Sequence, residues 1–383
     1  MIRYSPVSVY DAAFTIWSEC WASAKESTDA DASVVLVASG ADGIRIALQA
    51  LRAKNRNVVV PGYTCDRVVS AVIAAGAFPY FVDINLSTGE FDDAQLLEAL
   101  GLVPAAIIAT HLFGAYVGIE RLIKLANKTG VAVIEDCALY LHDIADPMPT
   151  TKAAFAIYSF GRGKPWSFGG GGAVVGNSVL INDIHKSKPS AQELRQLSLS
   201  GIVCGVIRDS YSALFCQELI SRLKKVNVHP IPAPWPEITV LRASNVSSGV
   251  ARYLKRCIDN WSHRQLPNYT QDALNLYRLA FSKNGIEVPG GIGFRLSANS
   301  ATPALALLTV DRNEIVSRLR VCGIDCPQYW GYSAAIRGGK LDCMNSVRLS
   351  EQLLFLPMHK HVTSAGAEKV ASVVRSFELT AFN

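Results

Sequence analysis

The sequence predicts an α/β fold, with a large, mostly parallel sheet wrapped by helices and a smaller α+β domain behind it. Three observations predict this. Between about residues 33 and 180, short apolar runs alternate with helix-like stretches. The runs are apolar along their whole length, as strands buried on both faces are. Past residue 180 the alternation stops, and Pro230, Pro232, Pro234 and Pro236 impose an extended, non-helical stretch. At 383 residues, 50% hydrophobic and 18% charged, the chain is long enough for a large core and for two domains.

In chain order, Ser33-Val-Val-Leu-Val-Ala reads as a strand leading to Ser39-Gly40-Ala41-Asp42 and an amphipathic helix over 43–51. Val58-Val-Val-Pro61 precedes a helix-like stretch over 67–75. Pro79-Tyr-Phe-Val-Asp83, Ala105-Ala-Ile-Ile-Ala109, Val131-Ala-Val-Ile-Glu135, residues 154–160 and Gly172-Ala-Val-Val175 continue the strand series. Residues 1–245 are therefore expected to form the large α/β domain, with 180–245 a divergent segment and boundary region. In the remaining 246–383, the pattern predicts a helix over 249–282, a strand over 303–310, and helices over 313–321 and 364–377. Internal repeats are absent.

Charge and cysteine usage narrow the function classes. The net charge of +5 comes from 37 basic and 32 acidic residues without clustering, which favours small anionic ligands over nucleic acid. Nine cysteines with no CxxC pair fit reduced thiols in the cytoplasm better than a disulfide framework or a zinc site. The first residues lack the apolar core of a signal peptide, and Arg208-Asp209 interrupts the most apolar stretch, 199–219, so neither secretion nor a membrane span is expected.

The candidate chemistry lies in the loops that follow the strands, where open α/β sheets bind ligands. Lys164 stands after an apolar strand and before Gly169 to Gly172. A lysine amine becomes nucleophilic when desolvated or placed near other cations, and Arg162, Phe160, Trp166 and Phe168 supply both effects; the same residues also fit a solvated turn. Ser39-Gly40-Ala41 opens a helix whose N–H groups suit a phosphate, or is ordinary turn chemistry. Asp136, where a strand meets its loop, suits a pyridinium partner or a helix cap. Ser159 is near enough to Lys164 in sequence for its hydroxyl to reach a cofactor phosphate. His111 follows a strand, in a place where a structural role is the commoner one.

Taken in order, Ser39-Gly40, Pro61-Gly-Tyr-Thr64, Phe81-Val-Asp83, His111-Leu-Phe-Gly114, Val133-Ile-Glu-Asp136, Ser159-Phe-x-x-x-Lys164 and Gly171-Gly172-Ala-Val-Val resemble the sugar aminotransferases of the DegT/StrS family, in a divergent form. Phe355-Leu-Pro-Met-His359 and Gly323-Ile-Asp325 extend the resemblance toward the end of the chain. It implies fold type I and pyridoxal 5'-phosphate as cofactor. It also implies amination of a keto sugar, nucleotide-linked, by an amino acid donor, for polysaccharide or secondary-metabolite biosynthesis, in a homodimer. Lys164 would bond the cofactor covalently and move protons, and Asp136 would hold the ring nitrogen. Ser159 with Gly40 and Ala41 would bind the phosphate, with His111 also at the cofactor.

Several positions depart from the family pattern. Cys65 stands where the family has an aromatic residue stacked on the ring, and Tyr63 is the nearest replacement. Leu139 replaces a glutamine and Gly170 a glutamate. Asn245-Val-Ser247 lacks the family's phosphate-binding arginine, a charge that Arg162 could supply from within the lysine loop. These changes keep open elimination or acyl transfer on the same cofactor, and an inactive binding or regulatory protein. A nicotinamide enzyme is disfavoured, because Gly161-x-Gly163 lacks the third glycine of the dinucleotide fingerprint.

Overall fold

The computed structural model describes residues 34–141, 152–161, 164, 170–176, 178–186, 195–197, 244–246, 269–287, 296, 300, 302, 304–324, 326, 334–337, 339–340, 342–358 and 362–379. Its main feature is a seven-stranded sheet of β1 (Val34–Val37), β2 (Asn57–Pro61), β3 (Phe78–Val82), β4 (Ala106–Thr110), β5 (Ala132–Asp136), β6 (Phe155–Ser159) and β7 (Gly172–Gly176). The strand order is β1-β7-β6-β5-β4-β2-β3. Only β7 runs antiparallel to its neighbours.

The fully apolar strands are explained by burial on both faces. Successive side chains of a strand point to opposite sides. Val58, Val60, Ile108, Ile134 and Ile157 pack on one side with helices α1 (Gly40–Ala50) and α2 (Asp66–Ala74). Val59, Ile107 and Val133 pack on the other side with α3 (Asp93–Gly101) and α4 (Ile119–Asn127). Each fully buried valine or isoleucine contributes roughly 1.5–3 kcal/mol. The sequence reading does not name α3 and α4; they begin at Asp92, whose side chain caps α3, and at Gly118.

Helix α1 starts because the extended Ser39 turns its hydroxyl back to accept the Asp42 N–H at 3.1 Å. Its inner face, Ile44, Ala47 and Leu48, lies in the core, and Gly43 lets the helix approach Ile157 and Val174 closely. A fifth helix, α5 (Ser178–Lys186), follows β7, and β8 (Arg195–Leu197) pairs in parallel with β9 (Ser244–Val246).

The C-terminal residues build a second core on an antiparallel pair, β10 (Ala304–Leu308) with β11 (Leu353–Pro357). Helices α6 (Tyr269–Lys283), α7 (Arg312–Val321) and α10 (Ser364–Val374) cover it through Leu274, Phe281, Ile315, Leu319 and Val370. Between them lie the short α8 (Ala334–Arg337) and α9 (Met344–Gln352). Of the helix expected over 249–282, α6 is the described part, and residues 247–268 lie outside the described residues. The apolar stretch 199–219 and the proline stretch also lie outside them. Among the described residues no helix is long and apolar enough to cross a membrane.

Candidate active site

The strand register brings the chemical residues together. Thr110 pairs with Asp136, Asp136 with Ile157, and Ser159 with Gly172, so the loops after β4, β5 and β6 leave from one edge of the sheet. Because β7 is antiparallel, its first residue, Gly172, sits beside the ends of both β6 and β1, where it pairs with Val37. The start of α1 thus meets Ser159, two turns of chain that are far apart in sequence. A Cβ on Gly40 would stand 3.0 Å from Ser159 Cβ and 3.4 Å from its Oγ. This juxtaposition makes a narrow cradle from a helix N-terminus, a hydroxyl and glycine backbone.

Lys164 is half-buried, on the loop whose base is closed by Phe160 N–H to Gly171 O (3.0 Å) and Gly170 N–H to Phe160 O (3.2 Å). Gly170, with φ of 150°, adopts backbone that other residues rarely take, so the position of the family's glutamate needs a glycine here. Arg162 lies outside the described residues, as does Ser247.

Asp136 is 6% exposed, and burial pushes its carboxyl up from the ordinary carboxylate value. The Lys164 ammonium opposes that shift most strongly, followed by the Ala138 N–H, which donates to Oδ1 at 3.1 Å, then by His111 and the Thr110 hydroxyl at 3.5 Å. The carboxyl is therefore held in a desolvated place within electrostatic reach of a cation.

His111 is 1% exposed and pinned on both sides. Its Nδ1 accepts the Val117 N–H at 3.1 Å, which leaves the ring proton on Nε2, directed at Glu135 Oε1 at 2.9 Å. The ring also stacks on Tyr116 at 5.3 Å and meets Tyr140 at 4.7 Å. Ligand atoms of His111, Glu135 and Cys137 lie within 4.8 Å of one another. Both ring nitrogens are spent on Val117 and Glu135, so a cation there would have to displace a buried hydrogen bond. Glu135 and Asp136 are consecutive and so face opposite sides of the sheet. One orients His111 and the other lies within electrostatic reach of Lys164.

The loop after β2 separates its residues clearly. Tyr63 is 1% exposed, with its ring in an apolar cluster beside Phe113 (6.0 Å) and with Phe355. Cys65 lies within electrostatic reach of Lys164 and Asp136, and burial pushes its thiol up. Between them, Thr64 is fully buried, and its Oγ1 has no hydrogen-bond partner among the described residues. Leu139 is half-buried two residues beyond Cys137.

These residues fit pyridoxal phosphate. A phosphate dianion matches the α1 N-terminus, Ser159 Oγ and the glycine cradle, the amine of Lys164 lies within electrostatic reach of the carboxyl of Asp136, and the Thr64 hydroxyl, without a partner among the described residues, is left for an acceptor. Sequence reasoning missed three contributors: Thr64, although it stands in the quoted Pro61-Gly-Tyr-Thr64; Thr110, which bonds Asp136; and Glu135, whose only signal was to precede an aspartate at a strand end.

The architecture is that of the fold-type I pyridoxal-phosphate transferases. The chain shares it with a DegT DnrJ EryC1 StrS aminotransferase from Brucella abortus, at a TM-score of 0.64 and 18% identity over 96% of this chain and 95% of that one. Residues 27–202 match the DegT/DnrJ/EryC1/StrS aminotransferase family. A pleiotropic regulatory protein of Geobacillus stearothermophilus is 32% identical over 164 residues, 39% of this chain and 43% of the relative. The L-glutamine:2-deoxy-scyllo-inosose aminotransferase of Micromonospora echinospora is 31% identical over 150 residues, 39% of this chain and 36% of that enzyme. The matched segment thus spans less than half the length of either relative.

Proposed function

We propose that the protein is a pyridoxal-phosphate-dependent transaminase that moves an amino group from an amino acid to a keto sugar, nucleotide-linked, working as a cytoplasmic homodimer. The large domain, residues 1–245, would hold the cofactor, and 246–383 would form the small one. The observation that carries the reading is the buried Asp136 carboxyl with Lys164 in electrostatic reach of it, beside the cradle that Ser159 makes with the α1 N-terminus. Relatives that act on cyclic keto compounds, as the inosose aminotransferase is named, support the substrate class.

Bound there, pyridoxal phosphate would supply an electron sink for the carbanion left when an amino acid loses its Cα proton. Asp136 would hold a proton on the ring nitrogen, and its buried place makes that charge pair strong. Lys164 would carry the covalent link and, once displaced by substrate, would move the proton to and from the substrate Cα. Ser159 and the start of α1 would anchor the phosphate, and Cys65 would lie near the ring where a flat aromatic group is absent.

The test is the absorbance spectrum of the purified protein with pyridoxal phosphate, before and after adding glutamate or glutamine, followed by borohydride trapping and peptide mapping. Label on Lys164, and conversion to the pyridoxamine form by the amino acid, are expected; Lys164→Ala should lose both the label and turnover. A wild-type protein that takes no label would sink the reading. Labelled protein that no amino donor converts would point to different chemistry on the same cofactor.

A further inference from the structure

At the joint between the two cores, helix α9 starts without a cap of its own: Cys343, the residue before it, makes no side-chain capping bond. The cap comes instead from 262 residues earlier in the chain. Asp83, 5% exposed just beyond β3, accepts the Asn345 N–H on Oδ2 at 2.8 Å. Its Oδ1 accepts the Ser346 N–H at 2.9 Å and the Ser346 hydroxyl at 2.7 Å. Three donors on one buried carboxylate, at the positive end of a helix, make a strong charge-assisted cap. The Asn345 side chain adds a bond to Ile84 O at 2.8 Å.

The capped helix leans on the loop that enters the site. Gly62 donates its N–H to Val82 O at 2.8 Å and accepts the Ala335 N–H at 2.9 Å. A Cβ on Gly62 would stand 2.5 Å from Ser346 Oγ and 3.2 Å from Cys343 Cβ, so no gap separates the loop from α9. Two and three residues further on come Thr64, with its unpartnered buried hydroxyl, and Cys65, within reach of Lys164 and Asp136. Rigid contact on one side of a four-residue loop fixes what the other side presents.

We infer that Asp83 is a positioning residue: by capping α9 it clamps the C-terminal core onto the Gly62–Cys65 loop and so couples docking of that core to the geometry of the Lys164 and Asp136 site. The link to cofactor binding rests on the function proposed above, whereas the link between α9 and the loop does not. Coupling of this kind is reciprocal, so whatever occupies the site tightens α9 as well.

The test uses the full chain as wild type, Asp83→Asn and Ser346→Ala. It reads hydrogen exchange over residues 344–352, the rate of iodoacetamide labelling at Cys65 with exposed Cys322 as internal reference, and the dissociation constant of pyridoxal phosphate. Losing the charged cap should speed exchange in 344–352 and labelling of Cys65, and weaken the cofactor, each by about tenfold, while Cys322 keeps its rate. Ser346→Ala keeps both backbone bonds and should move the same readings less; it carries the test if Asp83→Asn does not fold. Faster exchange in 344–352 with unchanged labelling of Cys65 and unchanged cofactor affinity overturns the inference, as does unchanged exchange. If the wild type binds no pyridoxal phosphate, the proposed function fails and the labelling of Cys65 alone decides the clamp.

Discussion

Replacing Gly172 by alanine tests the cradle at its tightest point. The residue is buried at the start of β7, between the ends of β6 and β1. A Cβ there would lie 2.6 Å from Tyr158 O, 2.9 Å from Gly40 N and 3.0 Å from the Ser39 carbonyl carbon. All three are backbone atoms in hydrogen-bonded elements, so no side-chain rotation relieves the contact and the strands must part by several tenths of an ångström. Overpacking costs about 1–3 kcal/mol, and a rigid surround puts this case near about 3 kcal/mol. At about 2–4 °C per kcal/mol for a domain of this size, Tm should fall by about 6–12 °C. The same parting moves Gly40 away from Ser159, so affinity for pyridoxal phosphate should fall with it. Gly43→Ala is the control. Its Cβ would press only on the methyl groups of Ile157 and Val174, at 3.0 and 3.1 Å, and alanine improves helix propensity by about 1 kcal/mol, so little net change is expected. Thermal unfolding followed by circular dichroism, and cofactor titration by absorbance, give both numbers. A Gly172→Ala protein with the Tm and cofactor affinity of the wild type would refute the reasoning.

Three further substitutions examine the charges beneath the site. Burial raises the Asp136 carboxyl above its usual value of 3.8, so the folded chain keeps a proton that the unfolded chain releases. Stability from this group is present at low pH and lost as pH climbs through the folded value. Asp136→Asn removes the loss, so the Tm of the cofactor-free variant minus that of the wild type should grow as pH rises from about 3.8; a flat or falling difference would contradict the assignment. His111→Phe strips the imidazole from Glu135, itself 1% exposed, and should cost about 3–5 kcal/mol in urea unfolding. Glu135→Gln keeps an acceptor for Nε2–H and should cost much less, so equal losses would show that the pair matters only as packing.

Much of the fold was legible because fully apolar runs of four or five residues have few places to go. Val58-Val-Val and Ile107-Ile, with helical stretches between them, announce strands covered on both faces. The order of Ser39, Asp136, Ser159 and Lys164, each just after such a run, predicted a site at one edge of the sheet; the pairing of β1 and β4 to β7 puts Ser39, Asp136 and Ser159 at that edge, and Lys164 lies on the loop after β6. The cap on α9 was not legible, since neither Asp83 nor Asn345-Ser346 carries a local pattern. The same holds for Tyr63 and Cys65. They are two residues apart in one loop, yet the first enters the cluster of Phe113 and Phe355 while the second lies within electrostatic reach of Lys164.

By itself the sequence determined which segments become the strands of the large sheet, and that a lysine and an acid follow such strands, because local periodicity and turn chemistry act over a few residues. The tertiary structure alone decided which atoms meet. Gly172 wedged against Gly40, the pairing of His111 with Glu135, and Asp83 capping a helix of the other core all join residues distant in the chain, and sequence spacing holds no information about such distances once the chain has turned back on itself.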